Sequence, residues 1–167
     1  MPKICFLTYI LFTYYVSFGQ SNSKDIGITI IEALKTNAFN KISDLRIPNS
    51  ELKKFLSYNK IDTTSHSIKE YIKKYPGIDS SLILRCQEFR NEKEKFQINW
   101  DDIQIVDFKE NTIVDDKREN KASKLSAIEF KSNEQNYLVI YETVEWPIGR
   151  FRLANTIIFT QATLSKN

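Results

Sequence analysis

The chain has 167 residues, with 24 basic and 21 acidic side chains and a single histidine, for a formal charge of +3. That length suits one domain able to bury a sizeable core, and so mild a charge excludes a nucleic-acid surface built on a basic stripe. Lys53-Lys54, Lys73-Lys74 and Lys117-Arg118 are each interrupted within a few positions and read as solvated surface.

An uncharged apolar run from Ile4 to Phe18 follows Lys3, and Gly19 and the polar segment Gln20-Ser21-Asn22-Ser23 close it. This is the layout of a secretory signal peptide, with cleavage expected after Gly19. Fifteen residues rise only about 22 Å as a helix, short of the roughly 30 Å of a bilayer core. Contact with a membrane is therefore expected only through this segment, before cleavage. Cys5 stands at the front of the run, not at its end where a lipoprotein cysteine belongs. Removing residues 1–19 leaves 148, with 23 basic and 21 acidic side chains. Cys86 is then the only cysteine, which excludes an internal disulfide. No Asn-x-Ser/Thr acceptor occurs, and the expected address is the bacterial periplasm or exterior.

The mature region, 20–167, reads as one α+β domain, helical in front and strand-forming behind, with no linker between. Ser21 or Ser23 is expected to cap a first helix carrying Ile26, Ile30, Ile31, Leu34 and Ala38 and ending near Asn40. Pro48 and the capping oxygen of Asn49 open a second, with Leu52, Phe55 and Leu56 on one side; 59–65 is a loop. Ile68, Tyr71, Ile72 and Tyr75 line one face of a third, which Pro76-Gly77 should stop. Asp79 or Ser80 restarts a long helix with the stripe Leu82, Cys86, Phe89, Lys93 and Phe96, expected to lie along the sheet.

From Trp100 the period becomes two. Ile103 and Ile105 alternate with polar residues in a first strand that Lys109-Glu110-Asn111 closes. Leu125–Phe130, Tyr137–Val144 and Phe151–Phe159 are three more, joined by turns at 132–136 and 147–149 short enough to require antiparallel neighbours. The fold class expected is thus N-terminal helices followed by a curved four-stranded meander on a long helix, with an optional fifth strand at 112–114.

Several residue groups carry a family resemblance: Trp100 at the start of the sheet, Ala127-Ile128-Glu129-Phe130, Tyr137-Leu138-Val139-Ile140-Tyr141, and the turn Gly149-Arg150-Phe151-Arg152-Leu153. Helices followed by this meander resemble the cystatin-like folds, and among them the nuclear-transport-factor-two-like cone, in small secreted bacterial proteins. The resemblance implies a sheet curled around a helix, with a cavity that differs among members. It also implies that enzymatic members carry an Asp/His or Asp/Tyr set inside the cone, a pattern not recognisable here.

His66 at a helix entrance has no orienting carboxylate in sequence, so it reads as an exposed first-turn residue. Asp101-Asp102, Asp107, Glu110 and Asp115-Asp116 offer oxygens to a hard cation but lack the glycine of a calcium loop. No metal or cofactor is expected. Tyr137, Val139, Tyr141 and Thr143 share one face of the third strand, and Leu138, Ile140, Glu142 and Val144 the other. Two apolar faces imply helices on one and a pocket or partner on the other. Tyr137 and Tyr141 suit a ligand-binding wall, and Arg150 and Arg152, on a common side, an anion. The expected function is a non-catalytic exported domain binding a small apolar or anionic ligand, or a protein, on the concave sheet face. A homodimerising interaction protein and a cone-type hydrolase or isomerase are the alternatives.

Overall fold

The computed structural model describes residues 22–112, 123–147 and 149–162. The expected leader at 1–19, positions 113–114 of the optional fifth strand and the side chain of Lys93 lie outside the described residues. The elements are α1 (Ser23–Thr36), α2 (Asn40–Asp44), α3 (Asn49–Tyr58), α4 (His66–Asn91), α5 (Lys93–Phe96), β1 (Gln104–Thr112), β2 (Ser123–Ser132), β3 (Gln135–Glu145) and β4 (Phe151–Gln161). The strands form an antiparallel sheet in the order β1-β2-β3-β4, curved and not closed. The α+β meander expected from the alternation is the architecture. Among the described residues no helix is long and apolar enough to cross a membrane.

Asn22, not Ser21 or Ser23, caps α1, its side chain accepting from the Asp25 N–H at 2.9 Å. Ser23 is buried, and its hydroxyl is bonded to Glu110. The helix stops at Thr36 rather than near Asn40 because Asn37 takes a left-handed conformation, φ 60°, which asparagine tolerates. The apolar period continues past the break because α2 buries Ile42 in the same core. In α3 the N-cap is Pro48, with Asn49 already helical and no side-chain cap.

Pro76 does not end its helix: α4 runs through it for 26 residues. The missing N–H costs one backbone bond, but Pro76 and Gly77 face solvent while Tyr75 and Leu82 on either side are buried. Each half is anchored, Tyr75 with Ile47, Leu52 and Leu56 and Leu82 with the main core. That double burial offsets the lost bond. The half expected to lie on the sheet does so through Leu82, Cys86 and Phe89, but α1 shares the task, with Ile26, Ile30 and Leu34 in the same cluster.

β1 begins at Gln104, with Trp100 in the preceding turn, and continues through Lys109-Glu110-Asn111, which were expected to close it. An edge strand facing water on most of its surface accommodates polar residues without breaking its ladder. Asn133 and Glu134, φ 49° and 63°, form the two-residue connection of β2 to β3, the left-handed pair that matches the twist of a hairpin. The turn had been expected to span the five residues 132–136, but Ser132, Gln135 and Asn136 belong to the strands. At the other end Gly149 takes φ 81°, and Leu153 N–H reaches Leu45 O at 2.8 Å, tying the segment after α2 to β4 at a parallel Arg46–Leu153 bridge.

Candidate functional site

Alternation divides the sheet's side chains cleanly. Ser126, Ile128, Phe130 and Ser132 of β2 and Tyr137, Val139, Tyr141 and Thr143 of β3 are buried beneath the helices. Tyr137 lies against Phe130, ring centroids 5.3 Å apart, and its hydroxyl donates to Phe96 O. The Tyr141 hydroxyl donates to Ser23 O at 2.7 Å in the first turn of α1. Gly27 makes that approach possible, since a Cβ there would fall 2.3 Å from the Tyr141 hydroxyl. Burial pushes both phenols above their ordinary range. Both ring and hydroxyl of each tyrosine are committed to the core. Glu110 and Asp25 stand near enough to Tyr141 to raise it further, and Glu110 also bonds the Ser23 hydroxyl.

Arg152 is half-buried, its Nη1 donating to Asp44 O at 3.3 Å. Arg150 lies on the exposed turn, its backbone closing the loop with Trp146 and Pro147. The two tyrosines and the two arginines thus belong to separate places, the core and one sheet end, and do not converge. His66 is exposed at the start of α4, and Cys86 is buried, with its thiol pushed up to about 12 by desolvation. Among the described residues no three His, Cys, Asp or Glu side chains gather as metal ligands would.

A polar cluster that periodicity did not show lies between α2, α4 and β4. Arg46 is only 2 % exposed and pairs with Asp79. Its Nη2 donates to Asn155 Oδ1 at 3.1 Å, and its guanidinium sits 4.1 Å over the Tyr75 ring. The Tyr75 hydroxyl donates to Ile47 O at 2.9 Å, and burial pushes its pKa up to about 12. Arg46 is one residue in an otherwise apolar Leu45-Arg46-Ile47, the only sequence signal of an inward charge. The cluster pins three elements together, a structural task.

The opposite face of the sheet carries the site candidate. The register sets Ala127, Ile140 and Ile158 side by side, with Leu138 between Glu129 and Thr160 and Leu125 beside Glu142. Leu125 and Ile158 are 41 % and 50 % exposed, and Val106, 53 % exposed, lies on the same side. The polar residues around this strip are held in place: Asn136 Nδ2 donates to Glu129 at 2.7 Å, Ser123 Oγ to Glu142 at 2.8 Å, and Lys109 pairs with Asp107 at 3.4 Å. An apolar centre inside a fixed polar border is the anatomy of a protein interface. The sequence placed Leu138 and Ile140 on this face; it gave no sign that Asp107 joins Val106 there, which depends on the bulge.

Comparisons with family models, characterised proteins and solved structures find no significant match to this chain.

Proposed function

We propose that this chain is an exported, non-catalytic interaction module that holds a protein partner on the open face of its sheet. The observation that carries the reading is the apolar strip Leu125–Ala127–Leu138–Ile140–Ile158, which faces away from both helices that cover the sheet. Four strands about 4.8 Å apart and up to 11 residues long present a face of roughly 20 by 35 Å, or about 700 Å². That is close to the roughly 800 Å² each partner contributes to a standard protein interface. A small ligand is better served by enclosing walls, and the covered face is filled by Tyr137 and Tyr141 instead. The signal-like segment at 1–19 supports the exported address.

The test replaces Leu125 and Ile158 together by lysine. The parent chain should take up an apolar reporter dye, and the double variant should lose that uptake while melting within a few degrees of the parent. A parent chain that takes up no dye would overturn the reading.

A further inference from the structure

We infer that the outer edge of β1, unpaired among the described residues, is a docking edge for a second copy of this chain, paired antiparallel about Phe108. Among the described residues β1 is the outermost strand of the sheet, and every residue of it except the half-buried Phe108 is exposed. Val106 and Asp107 together oppose Glu129 in β2. Beyond that bulge, backbone alternation turns the Phe108 N–H away from β2. There it donates to Asp107 Oδ1 at 2.7 Å. A neighbouring carboxylate thus stands where the carbonyl of a further strand would be.

The charges on either side of Phe108 specify what that strand would carry. Asp107 precedes it and Lys109 follows it, so a copy related by a twofold axis through the Phe108 pair sets Asp107 opposite Lys109 of the partner subunit, twice. Opposed charges across antiparallel strands stabilise the pairing and like charges oppose it. Registers centred on Asp107, Lys109 or Glu110 would each set a charge against its own copy, and only the Phe108 register cancels both. Within one chain Asp107 already carries Lys109 at 3.4 Å, so in the pair each lysine exchanges that contact for the partner subunit's Asp107. Isologous pairing of this kind closes as a dimer. Its axis stands perpendicular to the sheet, so the two open faces lie on one side of an eight-stranded sheet. The edge contact uses a surface distinct from the apolar strip and does not depend on it.

The same charges could instead merely blunt the edge against pairing, and a charge swap separates the two roles. Sedimentation velocity on the full chain over a dilution series at low salt should show a reversible monomer–dimer equilibrium. Asp107→Lys and Lys109→Asp should each weaken association by about tenfold or more, and the double swap should restore it to within about threefold of the parent. All three variants should melt close to the parent, because both positions are exposed. Ile158→Lys should leave this dimer intact, which keeps the test apart from the open-face reading. A parent chain that is monomeric throughout, single variants that dimerise as well as the parent, or a double swap that fails to restore pairing would each overturn the proposal.

Discussion

Gly27→Ala offers a test in which the sign of the effect decides the matter. Alanine in place of glycine inside a helix ordinarily stabilises by about 1 kcal/mol, and a sequence reader would expect that gain at Gly27. In the structure the added Cβ would lie 2.3 Å from the Tyr141 hydroxyl and 2.8 Å from the ring carbon bearing it. Tyr141 is fully buried and cannot swing aside. Overpacking of this kind costs about 1–3 kcal/mol, and losing the 2.7 Å bond to Ser23 O in a buried setting costs about 1–3 kcal/mol more. Set against the helix gain, the net loss is about 1–5 kcal/mol, or a fall in Tm of about 3–15 °C for a domain of this size. Thermal unfolding followed by circular dichroism measures it. Tyr141→Phe should relieve part of the clash, so the double variant should lie above the sum of the two single losses. A Gly27→Ala protein as stable as its parent, or more so, would refute the seating of α1 on Tyr141.

Phe89 stacks on Phe159 at 4.1 Å and meets Trp100 edge-on at 5.7 Å, so Phe89→Ala should cost about 3–5 kcal/mol in denaturant unfolding. Asp79→Ala would strand the Arg46 guanidinium, 2 % exposed, and should cost about 2 kcal/mol or more by the same measurement, well above the value of an exposed ion pair. Cys86, its thiol held neutral by burial, should resist alkylation in the folded chain at pH 8 and react at once in denaturant. Tyr75 is raised from 10.0 to about 12 and Tyr141 is raised as well. The folded chain therefore holds protons that the unfolded chain releases above pH 10. Their stabilising contribution is fully present below pH 10 and is lost as the pH climbs toward 12; a flat melting profile over that window would contradict the buried phenols.

Strand alternation made most of the sheet legible because one of its faces is genuinely dry. Tyr137, Val139, Tyr141 and Thr143 are all buried and the residues between them are not. The same rule lost its force at β1, where an edge strand wets both faces and Lys109-Glu110-Asn111 looked like a turn. Helix boundaries misled where tertiary burial outweighed a local signal: Pro76 reads as a stop, yet Tyr75 and Leu82 hold the two halves of α4 in separate clusters. The charged Arg46 cluster had no periodic signature, since its partners Asp79 and Asn155 lie 33 and 109 residues away.

The two faces of β3 were equally apolar in sequence, and that equality hid an asymmetry of role. Tyrosines went to the covered side, where each hydroxyl donates to a backbone carbonyl at a helix terminus: Phe96 O, one of the unpaired carbonyls ending α5, and Ser23 O in the first turn of α1. A phenol is the apolar side chain long enough to cross from the sheet to a helix terminus and still donate a bond there. The aliphatic residues Leu138 and Ile140 went to the other side, opposite Glu129 and Ala127. Residue type thus separates the face under α1 and α4 from the open one, whose far end, Val144, packs on the second cluster. Exchanging the two, with Tyr141→Ile and Ile140→Tyr, should unfold the chain, whereas Ile140→Tyr alone should leave it folded.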